Sequence, residues 1–145
     1  MNTSSNSSFS KDLEFGNSFE KKLKAYLQPE AFAYNDDYEY DILTFKNGSF
    51  LKYEVKADKM MSKTGNLCIE FECNSKPSGI AVSQADIYAY YEVNKEDSKL
   101  YLIPKNFLTN LISRKKYKSI INGGDGGRAK CYLFSKDIFK DFIIN

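Results

Sequence analysis

Asp41, Glu54 and Lys56 are the residues of this chain whose types and spacing could do hydrolytic chemistry. They fall on two runs rich in aromatic and β-branched residues, 37–45 and 49–57, with Lys46, Asn47 and Gly48 between them. Asn-Gly between two such runs signals a hairpin, because both central turn positions want positive φ. With a two-residue Asn47-Gly48 turn, Asp41 faces Glu54 and Glu39 faces Lys56. Side chains alternate along a strand, so Asp41, Glu54 and Lys56 share one face. Facing Cβ atoms stand roughly 4.5–5.5 Å apart, and two carboxylates at that distance repel by on the order of several tenths of a kcal/mol or more. A divalent cation removes that repulsion, and hard oxygen ligands select Mg²⁺, with Mn²⁺ as a substitute. An ammonium beside the cation can orient a water, stabilise hydroxide or neutralise charge developing on a phosphate. That combination is metal-assisted attack of water on a phosphodiester. The competing reading is a solvated charge ladder of Glu39, Asp41, Glu54 and Lys56 on an exposed strand face.

The elements that must position these residues follow from periodicity and breakers. Residues 1–11 are Ser/Asn-rich and read as a disordered polar tail, leaving 12–145 as a single domain. Phe15, Phe19, Leu23, Tyr26 and Leu27 recur at helical spacing from Gly16-Asn17 onward, and Pro29 ends that helix. After the hairpin, a third strand is expected over 66–73, with Glu70 and Glu72 on one face; paired beside Glu54, it would add Glu70 to the acidic cluster. Pro77-Ser78-Gly79 breaks the chain. Ser83, with Asp86 three residues on, reads as the cap of a helix over 84–92. A strand over 99–103, a helix from Pro104 to about Ser113, a strand over 130–134 and a C-terminal helix from about Ser135 complete the order αβββαβαβα. That order is an α/β fold with a mixed sheet and a central antiparallel hairpin.

Composition narrows the chemistry. The chain has no histidine, which excludes Ser-His-Asp and Cys-His catalysis and every His-containing zinc site. Three cysteines are too few for a disulfide scaffold and read as small apolar residues in a reducing compartment. No apolar run is long enough to span a membrane, and no signal segment opens the chain, so a cytoplasmic location is expected. The net charge of +2, from 21 Lys+Arg against 19 Asp+Glu, is not that of a protein coating DNA nonspecifically. It permits a local basic face. Arg114, Lys115 and Lys116 beside Tyr117, Lys59 and Lys63 after the second hairpin strand, and Arg128 after the loop Gly123–Gly127 are candidate phosphate contacts. A solvated helix end and a flexible glycine connection are the competing readings of the 114–118 and 123–127 segments.

Four motifs together resemble the PD-(D/E)xK nuclease superfamily, in its RecB-like and Holliday-junction-resolvase-like branch. Gly16-Asn17-Ser18-Phe19-Glu20 resembles the family's G-h-x-x-E (h is apolar), with Asn17 departing from the apolar position. Glu39-Tyr40-Asp41 supplies the strand Asp, Glu54-Val55-Lys56 matches (D/E)-h-K, and Gln84-Ala85-Asp86-Ile87-Tyr88 matches Q-h-x-x-Y. The loop Gly123–Gly127 with Lys130-Cys131-Tyr132-Leu133 is similar to small phage-type members, which implies a virus-encoded protein acting inside a host cell. The resemblance implies a restriction-endonuclease-like core and a Mg²⁺-dependent deoxyribonuclease, structure-directed and endonucleolytic. Asp41, Glu54 and the Val55 carbonyl would bind the metal, and Glu20 would reach it directly or through water. Lys56 would be the catalytic lysine, Gln84 would orient substrate or that lysine, and Tyr88 would support it and contact the nucleic acid. A homodimer suits paired cuts; no membrane, haem or nucleotide cofactor is implied. The alternative is a noncatalytic nucleic-acid-binding module that retains the fold. Glu20 as a capping partner of Asn17, Gln84 as a surface residue and Tyr88 as core are the plain readings of those three.

Overall fold

The computed structural model describes residues 18–35, 39–95, 97–123 and 125–144. The polar tail, Gly16, Asn17 and Gly124 lie outside the described residues. Helix α1 covers 18–27 and stops ahead of Pro29, as the breaker predicts. Phe19 and Leu23 are buried from it, whereas Tyr26 is half exposed and stands off the buried face.

The hairpin forms in the expected register. Strands β2 (Ile42–Lys46) and β3 (Ser49–Asp58) pair with Lys46 facing Ser49 and Ile42 facing Tyr53. Asn47 and Gly48 hold φ of 52° and 80°, the positive values that a tight two-residue turn demands. Strand β2 starts at Ile42, so among the described residues of the run 37–45 Glu39 precedes it and does not face Lys56 across the ladder. The Glu39 carbonyl instead accepts from the backbone N–H of Gln84 at 2.8 Å. An edge strand β1 (Ala31–Tyr34), which the sequence reading lacks, pairs antiparallel with β2.

The largest correction lies downstream. No helix covers 84–92; β6 (Ile87–Val93) runs there, parallel to β3. Its residues IYAYYEV are aromatic and β-branched, and five consecutive ones are buried. A strand buried on both faces loses the alternation that distinguishes it from a helix. The apparent capping pair is used otherwise. The Ser83 hydroxyl accepts from the Ala85 N–H, and the Asp86 carboxylate accepts from the Lys52 N–H on β3 at 2.8 Å. Short turn-forming side chains do this as readily as they cap helices.

Strand β7 (Ser98–Pro104) pairs antiparallel with β6, and β10 (Ile143–Ile144) pairs with β7. The mixed sheet is therefore ordered β1-β2-β3-β6-β7-β10, with the parallel β3/β6 pair at its middle and the hairpin toward one side. The expected third strand forms as β4 (Asn66–Cys73) but does not join this sheet. It belongs to a second, antiparallel sheet ordered β5-β4-β9-β8, where β5 is Lys76–Pro77, β8 Ser119–Gly123 and β9 Ala129–Ser135. Strand β8 occupies the stretch between the basic residues and the glycine loop, to which the sequence assigned no element. A short helix α2 (Met61–Thr64) and helix α3 (Lys105–Ser113) are present. The expected C-terminal helix is a 3-10 segment over Lys136–Phe142 that ends in β10.

Alternation along β3 and β6 sorts the core into two clusters. Tyr53, Ala89 and Tyr91 point to the face covered by Phe19 and Leu23 of α1. Tyr88 and Tyr90 point to the opposite face, where Leu67 and Ile69 of β4, Leu108 of α3 and Phe134 of β9 pack. Glu54 and Lys56 alternate with Tyr53 and so lie on the side of the second sheet. Among the described residues no helix is long and apolar enough to cross a membrane.

Candidate active site

Asp41, Glu54 and Lys56 line one cleft of about 460 Å³ together with Glu70, Pro77, Ser78, Gly79 and Val82. The local sequence explains how each arrives. Asp41 is the residue just ahead of β2; its N–H donates to the Tyr53 carbonyl at 2.9 Å, one step off the ladder register, whose last pair is Ile42 with Tyr53. Its carboxylate then accepts from the Val55 N–H at 2.7 Å, taking the place of the next ladder bond. Within an extended residue the C=O points the same way as the N–H, so the Val55 carbonyl is directed toward Asp41, past the last ladder pair of β2. Glu54 and Lys56, two residues apart on one strand face, form an ion pair at 3.3 Å, with Glu54 13% and Lys56 49% exposed.

Glu70 arrives by a route the sequence did not suggest. It comes from β4, in the other sheet, and faces the hairpin across the cleft rather than beside it. Its carboxylate accepts from the Ser78 hydroxyl at 2.8 Å. The turn that carries Ser78 is pressed against Glu70: a Cβ built on Gly79 would lie 2.1 Å from the Glu70 carbonyl oxygen, and Gly79 has φ of +52°. Only glycine fits there. The Pro77-Ser78-Gly79 break was legible, but its packing against β4 had no local signal.

Burial, ahead of any neighbouring charge, sets the electrostatics of the carboxylates here. Burial pushes the Glu54 carboxyl up to about 7; Lys56 draws it back, and Asp41 and Glu20 raise it further. Burial also raises Asp41, against the pull of the Val55 N–H and of Lys56. Glu20, on α1, is raised by burial and by the Asp41 charge, so it stands within electrostatic reach of the pair although it does not line the cleft. Tyr88 lies beside Glu54 in the β3/β6 register and is 2% exposed. Burial raises its phenol well above the ordinary value, moderated by a hydrogen bond shared with Ser83. A side chain that deeply buried backs the site and does not touch nucleic acid, a correction to its expected place in the interface.

Other expected members stay apart. Gln84 is exposed, sits in the loop before β6 rather than on a helix, and does not line the cleft. Lys59 and Lys63 line a separate depression with Ser62, Val93, Asn94 and Lys95. Arg114, Lys115 and Lys116 are exposed after α3, with Tyr117 packed on Tyr132 at 4.8 Å between ring centroids. Arg128 is exposed after the glycine segment. None of these basic residues lines the acidic cleft.

The donor chemistry fits a hard dication. Mg²⁺ is held by one or two carboxylates and keeps several waters, rather than filling a closed protein cage. Asp41, Glu54 and the Val55 carbonyl could supply such a partial set, and burial, which raises both carboxyls, is a cost that a bound cation would offset. Among the described residues, no group of three or more His, Cys, Asp or Glu side chains stands in a metal-holding cluster. Comparisons of the chain with protein-family models, with curated proteins and with solved structures find no match in any of the three.

Proposed function

We propose that the protein is a Mg²⁺-dependent nuclease that hydrolyses DNA phosphodiester bonds, built on a restriction-endonuclease-like core. The observation that carries this reading is the shared cleft of Asp41, Glu54 and Lys56, with the Glu54 carboxyl pushed up to about 7 among neighbouring carboxylates. The parallel β3/β6 pair and the hairpin register support the core assignment. The match of 84–88 to the family's fourth motif lends no support, since that segment is loop and strand.

In this reading Asp41, Glu54 and the Val55 carbonyl hold the cation. A cation held there would supply Lewis-acid polarisation of a phosphoryl oxygen and a lowered pKa for a bound water. Asp41 keeps its orientation through the Val55 N–H. Lys56 leaves its metal-free partner Glu54 and brings an ammonium to a nonbridging oxygen, where charge grows as the bond breaks. Glu20 holds negative charge behind Asp41, and Glu70, clamped by Ser78, forms the far wall.

A cleavage panel tests the proposal: duplex, single-stranded and branched DNA, each with Mg²⁺, with Mn²⁺ and with EDTA. Cutting that requires metal and disappears in Lys56→Ala is the expected result. Absence of cutting on every substrate, with no Mg²⁺ binding by calorimetry, overturns it.

A further inference from the structure

The face of the hairpin that carries the carboxylates does not stop at the cleft. Counting outward from Glu54 along β3 in steps of two, the first rung is Leu43 facing Lys52, and the next is Phe45 facing Phe50. At about 3.4 Å per residue, the Phe45/Phe50 rung lies roughly 14 Å from Glu54 along the same surface. The two phenyl rings meet at 4.7 Å, tilted by 47°, and Phe50 is 68% exposed. The Lys52 ammonium lies over the Tyr40 ring at 5.1 Å, between the phenyl pair and the cleft. Leu43, Phe45 and Phe50 pack on neither core cluster, so core packing does not account for them. These outer rungs carry Lys52 and no acidic side chain of their own; the Asp86 carboxylate beside them is engaged by the Lys52 backbone N–H at 2.8 Å.

We infer that this hairpin face is a stacking platform for the unpaired bases of a DNA strand, so that the substrate delivered to the Asp41/Glu54/Lys56 cleft contains a single-stranded segment. The inference rests on the nuclease reading of that cleft and adds its substrate class. An exposed aromatic on a flat strand face offers a π-surface that any base can cover, and a neighbouring lysine meets the backbone phosphate. A base inside an intact duplex has both faces covered by its neighbours and cannot use such a platform. Lys52 supplies the charge complementarity, and continuity with the cleft sets the direction of the strand.

The chain has no tryptophan, so Phe50→Trp introduces a sole indole reporter at the platform. Because Phe50 is mostly exposed, the substitution leaves the fold in place. Titration with a single-stranded oligonucleotide is expected to quench that fluorescence, and a blunt duplex of the same sequence is not. In a Lys56→Ala background with Mg²⁺, where DNA stays intact, Phe50→Ala should weaken single-strand binding roughly 5- to 100-fold. Blunt-duplex binding should remain unchanged. Equal effects on both substrates, or no effect on either, overturn the platform while metal-dependent cleavage by the wild type leaves the nuclease standing. Loss of a dimer in sedimentation on Phe50→Ala overturns it in favour of an interface between copies. No binding and no cleavage of any DNA by the wild type removes the nuclease reading and the platform with it.

Discussion

The Val55 N–H donates to the Asp41 carboxylate at 2.7 Å, so the first acidic residue of the cleft also terminates the hairpin ladder. Asp41 thus has a structural bond and an electrostatic liability in one side chain. Two substitutions separate them. Asp41→Asn keeps an acceptor oxygen for Val55 and removes the charge, so the metal-free protein should gain ~0.5–1 kcal/mol. Asp41→Ala removes the acceptor as well and should lose about 1 kcal/mol relative to Asn. Thermal melts in EDTA order the three proteins. If Asn melts below the wild type, the carboxylate is structural and the metal proposal loses its physical basis.

Glu54 predicts the pH dependence of the metal-free state. Its carboxyl is raised from 4.5 to about 7, so the folded protein binds the proton more tightly than the unfolded chain. The sign follows: stability is greatest below about 4.5 and falls as pH rises toward 7, by up to about 3 kcal/mol from this group. Urea unfolding in EDTA across that window should show the decline, and Glu54→Gln should flatten it. Added Mg²⁺ should restore the wild type at pH 7 by mass action and leave Glu54→Gln unaffected. A wild-type profile that is flat in EDTA would mean that Glu54 is not held buried in the cleft in solution.

Lys56 should separate chemistry from binding. Lys56→Ala should lower single-turnover cleavage by about 10²–10⁴-fold, the range for a group acting on the nucleophile or the transition state. DNA affinity should change little, since the side chain is half exposed at the cleft edge. A parallel loss of affinity would make Lys56 a phosphate anchor instead.

Away from the cleft, Glu92 is 2% exposed and accepts from Tyr101 Oη at 2.8 Å and Lys136 Nζ at 2.7 Å. Burial raises its carboxyl, but those partners outweigh burial and hold it below its ordinary value. Its contribution is present above the unfolded carboxyl's range and is lost as pH falls through the depressed folded value, the opposite sign to Glu54. Lys136→Met strands a buried charge and should cost ~3–5 kcal/mol in urea unfolding, with Glu92→Gln recovering much of it in the double variant.

Local chemistry made the hairpin legible: Asn47-Gly48 sets the turn and the turn sets the register over 42–46 and 49–53, while Asp41, just beyond the last ladder pair, shares the cleft with Glu54. The extent of β4 was readable for the same reason, from the alternation of Leu67, Ile69 and Phe71. Its sheet was not, because alternation says which face is apolar and nothing about which strand lies alongside. Glu70 therefore reached the cleft by a path visible only in three dimensions. The 84–92 segment misled because Ser83 and Asp86 can cap a helix or tie a loop, and a doubly buried strand offers no period to decide between them.

The connection between β3 and β6 has a consequence for how the molecule assembles. Asp41 and Glu54 meet through a two-residue turn, whereas the parallel partner of β3 must wait for the 59–86 segment, and β4 must wait for β9. Local contacts close first and distant ones bear a larger loop-closure cost. The carboxylates are thus brought together while the hairpin is still open to water, and their burial comes only with the later docking of β6 and the second sheet. That order predicts that neutralising Asp41 slows escape from the native state more than it hastens arrival there, a split read by folding and unfolding rates of the wild type and Asp41→Asn in EDTA.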